Sequence, residues 1–164
     1  MPPRRKSSPM RQLLLLLLAL LVMGCSKSGP PAPAPDSIAA SHDKSAAESL
    51  AEKEKCAPAL DWLKDTAKHS LWKGDRAAIV THFEAQRKAG AKEIYAVGVE
   101  EAEGQQICAS FVLVLPEGAA RKAVLDNHNA FWKSYLGPEA SAEDLKEFEV
   151  TDEGQKYLFY NFDL

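Results

Sequence analysis

Glu93-Ile94-Tyr95-Ala96-Val97-Gly98-Val99, Glu100-Glu101-Ala102-Glu103-Gly104-Gln105 and Gln106-Ile107-Cys108-Ala109-Ser110-Phe111-Val112-Leu113-Val114-Leu115 follow one another without a break. Two apolar runs flank an acidic, glycine-containing connector, which is the pattern of two strands joined by a hairpin turn. The second run is apolar at both parities, so it is covered on both faces or lies centrally in a sheet. Pro116 ends it.

On the C-terminal side, a helix is expected from about Ala119 to Leu136. Val124, His128, Phe131 and Tyr135 fall on one stripe, with Leu125 and Trp132 beside it. Gly137-Pro138 terminates it. Ser141-Ala142-Glu143-Asp144 has capping-box spacing and starts a short helical turn. The aromatic run Lys156 to Asp163 reads as a last strand.

On the N-terminal side, a helix from about Arg76 to Ala89 lies between an Asp75 cap and Gly90. Pro58 opens another, with Leu60, Leu63, Ala67 and Leu71 at helical spacing. A first helix starts near Ser45, with Glu48 placed to complete a capping box. The order α-α-α-β-β-α-β places the chain in the α+β class. N-terminal helices precede a small antiparallel three-stranded sheet with a crossover helix. If the last strand crosses over the first, the sheet order is 2-1-3. The arrangement resembles part of a ferredoxin-like fold, a likeness of architecture that implies no activity. The ending Asp152-Glu153-Gly154-Gln155-Lys156-Tyr157-Leu158 resembles the tail of some small bacterial proteins and likewise implies none.

The 164 residues carry a net charge of −3, and this average conceals a polarity. Residues 1–24 hold Arg4, Arg5, Lys6 and Arg11 and no acidic group, so 23 acidic against 16 basic groups remain, net −7. That acidity argues against nucleic acid as a partner. Leu13 to Met23 is uninterruptedly apolar but spans only about 16 Å as a helix, at ~1.5 Å per residue. A membrane core is about 30 Å thick, so the run reads as the apolar part of a signal peptide.

Val22-Met23-Gly24-Cys25 follows, and it resembles a bacterial lipobox. The resemblance implies a diacylglycerol thioether on Cys25, cleavage before it and an acyl chain such as palmitate on the new amino terminus. Several acyl chains anchor far more firmly than one. Ser26, where Asp would suggest inner-membrane retention, favours the outer membrane, with the domain facing the periplasm. Ser26-Lys27-Ser28-Gly29-Pro30-Pro31-Ala32-Pro33-Ala34-Pro35-Asp36-Ser37 reads as an extended, solvated tether. Continued to about Lys44, it reaches roughly 60 Å at ~3.1 Å per residue. The expected organisation is a signal peptide at 1–24, a lipidated Cys25 with tether to 44, and a single domain over 45–164.

Cys56 and Cys108 are then an even pair in an oxidising compartment. They are read either as a disulfide or as two separately buried thiols. His42, His69, His82 and His128 show no i+3 or i+4 pairing, so the sequence offers no helical metal site. His128 is the one catalytic candidate, a general base beside Trp132; its alternative is a hydrogen-bonded histidine at the edge of the core. Glu100-Glu101-Ala102-Glu103 lacks the alternation of a calcium loop and reads as a solvated turn. No nucleotide or cofactor fingerprint and no nucleophile elbow occurs. Trp62, Trp72 and Trp132 fit core or interface positions.

The expectation is a lipid-anchored envelope protein with no cofactor, a non-catalytic module that binds or scaffolds another component. An envelope protein is the candidate partner, and the aromatic last strand is a candidate pairing edge. The alternatives are a small-ligand binder, using the groove between the long helix and the sheet, and an enzyme with a dispersed site near His128.

Overall fold

The computed structural model describes residues 34–163. The lipobox, Cys25 and most of the tether lie outside the described residues.

The first helix, α1 (Ile38–Ala51), begins inside the stretch read as tether rather than at Ser45. Ser37 caps it, its side chain accepting from the Ala40 amide at 3.2 Å. The early start escapes a search for large apolar side chains. The stripe facing the protein is Ala39, His42, Asp43 and Ala46, at the spacing of one helix face. Its only buried apolar members are alanines.

A 3-10 turn (Lys53–Lys55) leads into β1 (Ala57–Pro58) and a short helix, α2 (Ala59–Lys64). The second helix expected to reach Leu71 therefore stops at Lys64. His69–Leu71 is a strand instead, β2, running parallel to a later strand. Arg76 holds this break in place. Its guanidinium donates to the Leu63 carbonyl at 2.6 Å and to the His69 carbonyl at 2.8 Å. Trp62 donates to Gln106 at 3.1 Å, and the His69 ring stacks on the Trp62 ring at 5.0 Å. Helix α3 (Arg76–Ala89) runs as expected from the Asp75 cap, which accepts from Ala77 and Ala78, to left-handed Gly90.

The hairpin expected from residues 93–115 is split. Its strands are β3 (Ile94–Val97), β4 (Glu100–Ala102), β5 (Gln105–Cys108) and β6 (Ser110–Val114). Glu103 and Gly104, at φ of 53° and 78°, make the tight turn between β4 and β5. At Ala109 the chain leaves one sheet for the other. β5 pairs with β2 and β4 in a small mixed sheet, order β2-β5-β4. β6 joins the main sheet, where the long helix α4 (Ala119–Tyr135) and the short α5 (Ala142–Lys146) precede β7 (Tyr157–Asn161).

The main sheet is antiparallel, with order β1-β3-β6-β7. The last strand thus lies beyond β6 instead of beyond β3, which corrects the 2-1-3 order. The reason is burial of β6 on both faces. Phe111 and Leu113 enter the larger core with Phe83, Val124 and Trp132, while Val112 faces the other way with Val97 and Ala46. A strand so covered belongs in the middle. The α+β class stands, with α2 to α4 on one face of the sheet and α1 on the other. Among the described residues no helix is long and apolar enough to cross a membrane.

Gly90 tests the closure of α3 on α4. Its φ is +116°, and a Cβ there would lie 2.7 Å from the Ala120 Cβ. Gly90→Ala is expected to cost about 1–3 kcal/mol. Chemical denaturation checks this, and an unchanged midpoint would contradict it.

Candidate functional site

Three of the four histidines meet where α1, α3 and α4 surround β7. His128 lies on α4 and is fully buried. Its Nε2–H donates to the Phe148 carbonyl at 3.0 Å, which leaves Nδ1 bare and without a partner. Beside it, Asn129 exchanges two hydrogen bonds with the Val150 backbone, at 3.0 and 2.9 Å. Together these side chains fasten the segment before β7 to α4. Burial, helped by the neighbouring His42, lowers the His128 pKa to about 3.

His42, from α1, meets the His128 ring edge-on at 5.7 Å between centroids. Its Nδ1 accepts from the Phe159 amide at 2.7 Å, so that nitrogen carries no proton. Burial lowers its pKa to about 4, against the pull of Asp43. His82, on α3, stacks on Phe131 at 4.1 Å and lies 3.1 Å from the Tyr160 hydroxyl. Burial lowers this group to about 4 as well.

Tyr160 joins these parts. Its ring lies edge-on to His128 at 5.0 Å and to His82 at 5.4 Å. Gln86 donates to the Tyr160 oxygen at 3.3 Å and to the Val124 carbonyl at 3.1 Å. The single phenolic proton is then directed at His82 Nε2, which accepts it. Burial pushes the Tyr160 phenol well above its ordinary pKa.

The chemistry of this cluster is that of neutral, mutually oriented rings. At neutral pH the three imidazoles are uncharged, and His128 is sealed from solvent at 0 % exposure. A general base there would need the helices to part before substrate could reach it. The geometry gives His128 the role of holding the Phe148 segment. The convergence of His42 and His82 on it was not visible in the sequence, where the three lie on separate helices.

Cys56 and Cys108 are free thiols in the structure, Cys108 buried and Cys56 half-buried. Cys108 lies against the Ser110 and Val97 carbonyls at 3.0 and 3.3 Å, and burial pushes it up to about 11. Cys56 lies 3.4 Å from the Glu52 carbonyl and is raised by burial and by Glu54 and Glu52. Raised thiols stay protonated and are poor nucleophiles. Among the described residues no group of three or more His, Cys, Asp or Glu is placed to hold a metal ion. Glu100 and Glu101 are exposed, but they lie on strand β4 and not in the turn expected there, which is confined to Glu103 and Gly104.

Trp62 and Trp132 are buried in the core, whereas Trp72 is 63 % exposed. Trp72 stands at a cavity of about 300 Å³ whose walls include Gly98, Glu100, Ile107, Cys108 and Asp163. Asp163 is paired there with Lys73 at 3.0 Å. This groove lies beside the small sheet, away from the long helix where a groove was expected. A second cavity of about 440 Å³, walled by Leu50, Tyr95, Val114 and Tyr157 among others, lies beside α1. Compared with protein-family models, curated proteins and solved structures, the chain matches none of them.

The histidine cluster has a pH signature. Each histidine titrates near 6.5 when unfolded, and near 4, 4 and 3 in the fold. Stability is therefore full above pH 6.5 and is lost as pH falls from 6.5 through 4 to about 3, where the unfolded chain binds the extra protons. Denaturation midpoints measured across that range should fall with acidity. His82→Gln, which retains an acceptor for Tyr160, should shallow the slope by about one proton. A pH-independent midpoint would contradict the buried, neutral assignment.

Proposed function

We propose that the chain is a lipid-anchored protein of the cell envelope whose folded part is a non-catalytic binding module. The anchor is Cys25, on the strength of Val22-Met23-Gly24-Cys25 after a basic and then apolar leader. The domain faces the periplasm, with the outer membrane favoured by Ser26. Since α1 starts at Ile38, the tether is shorter than its composition suggested. Residues 26–33, if extended, reach roughly 25 Å at ~3.1 Å per residue. The net charge of −7 over residues 25–164 keeps the domain off anionic lipid, so the tether is a spacer and not a docking arm.

The observation that carries the binding role is Trp72. A large indole left 63 % exposed beside a cavity costs solvation and contributes nothing to the core. Tryptophan so placed is a common anchor of recognition surfaces. An envelope protein is the partner this reading favours. A small ligand is the second reading, because about 300 Å³ lies at the lower end of the ~300–1,000 Å³ typical of ligand pockets.

Two measurements test this. Cys25→Ser should abolish incorporation of labelled fatty acid and move the protein out of the membrane fraction; a variant that stays membrane-bound refutes the anchor. A photo-crosslinking residue in place of Trp72 should trap an envelope protein in intact cells, while one in place of exposed Ala85 on α3 should not. Equal labelling from both positions would remove Trp72 as the recognition face. No protein adduct, with a ligand-induced rise in melting temperature that Trp72→Ala abolishes, would select the small-ligand reading.

A further inference from the structure

The small sheet has one covered face and one open face. His69, Leu71, Gln106 and Cys108 turn inward: His69 stacks on Trp62, Gln106 accepts from it, and Leu71 and Cys108 belong to the larger core. Side chains alternate along a strand, so the register sets Ser70, Trp72, Ile107, Glu100 and Ala102 on the other face. In the main sheet the face turned from the larger core is covered by α1. Asp43 fastens that helix, accepting from the Lys156 and Tyr157 amides at 2.7 and 2.9 Å, and His42 accepts from Phe159 at 2.7 Å. The small sheet keeps its outer face bare, with Trp72 and Glu100 exposed and Ile107 half-buried.

This face is a trough. β2 and β4 flank β5, so at ~4.8 Å per strand Trp72 and Glu100 rise about 10 Å apart across the sheet. Ile107 and Ala109 lie between them in the cavity of about 300 Å³. One wall is aromatic, the other carries a carboxylate, and the floor is apolar. The local charge is unbalanced. Among the described residues Glu100, Glu101 and Glu103 make no ion pair. The cations nearby are already engaged: Lys73 with Asp163 at 3.0 Å, Lys55 with Glu52 at 2.8 Å and Lys68 with Asp65 at 3.9 Å. Lys68 also stands four residues before Trp72, about 13 Å along the strand at ~3.3 Å per residue.

Resting on the reading of Trp72 as a recognition surface, we infer that the trough takes an arginine side chain from an exposed basic segment of a partner protein. A guanidinium lies flat on an indole and forks to a carboxylate, which is what the two walls offer. Its aliphatic stem covers Ile107 and Ala109. An ammonium brings the charge without the plane, so lysine fits less well. The occupant is a side chain of a larger molecule because the trough is open. Small-ligand sites bury roughly 70–90% of their ligand, whereas here the indole wall itself is 63 % exposed.

The test titrates the full chain in detergent micelles with an acetylated Gly-Ser-Arg-Ser-Gly amide and with its lysine and citrulline counterparts. NMR follows the Trp72 indole N–H and the Ile107 amide. The arginine peptide should shift both and saturate, the lysine peptide should bind about threefold more weakly, and the uncharged citrulline peptide roughly tenfold more weakly or not at all. Glu100→Gln, on an exposed side chain, should weaken the arginine peptide roughly fivefold. Trp72→Ala should abolish the shift at Ile107. Equal binding of the arginine and citrulline peptides, or indifference to Glu100→Gln, would overturn the assignment. If no peptide binds while a crosslinker at Trp72 still traps an envelope protein, the arginine falls and the recognition surface stands. If neither occurs, both fall. Arginine amide that binds as tightly as the peptide, with no protein adduct, would replace the partner by a small cation. Self-association of the chain that Trp72→Ala abolishes would replace it by a second copy.

Discussion

Strand β6 has to be kept dry on both faces, and the rest of the structure follows from that requirement. Phe111, Val112 and Leu113 are consecutive and fully buried, so neither face of the strand can meet water. One face is covered by α2, α3 and α4, whose Trp62, Phe83, Val124 and Trp132 complete the larger core. The other face needs a separate cover, and α1 supplies it through Ala46 and Leu50. Neighbours on both sides are needed too. β3 and β7 fill those places, which puts β7 at the edge, where its outward amides need partners.

The polar groups inside the protein follow from the same layout. Wrapping three helices around an edge strand brings His42, His82, Gln86 and His128 together near Tyr160. Most of their polar atoms are paired, but His128 Nδ1 and Gln86 Oε1 are not. An unpaired buried group costs about 1–3 kcal/mol, so the cluster is not optimised for stability alone. Its effect is orientation: His128 and Asn129 dock the segment before β7, and His42 and Asp43 dock α1 on its edge. Neutral imidazoles suit this work because each offers one donor and one acceptor without the cost of burying a charge.

The surface tells a different story from the core. The titratable groups with the largest shifts are buried, whereas the feature that offers contact to another molecule is the exposed indole of Trp72. The proposed anchor and tether would hold that indole at a set distance from a membrane. His128 looked like chemistry in the sequence because it sat on an apolar stripe. The same placement is what sealed it into the core.

Local signals were legible without tertiary information. Asp75 and Gly90 bound α3, and Ser141 with Asp144 forms the capping box of α5, because caps and left-handed turns are settled within a few residues. The two-sided apolarity of 106–115 marked a covered, central strand only over Ser110–Val114; the residues before Ala109 form a separate strand in the other sheet. Nonlocal pairings were not legible. Leu71 fits a helical period, yet it lies in a strand because β5 is available to pair with it. Ala109 looks like any other residue of an apolar run, yet the chain changes sheets there. Helix α1 buries two alanines and turns half-buried His42, Asp43 and Leu50 inward, so its inward face carries little hydrophobic signature. By itself the sequence determined the α+β class, the extent of α3 and α4, and an expected address at the N-terminus, since these rest on periodicity, caps and short motifs. Only the tertiary structure decided the strand order, the start of the domain at Ser37 and the meeting of three histidines, because each depends on which distant segments compete to cover β6 and the edge of β7.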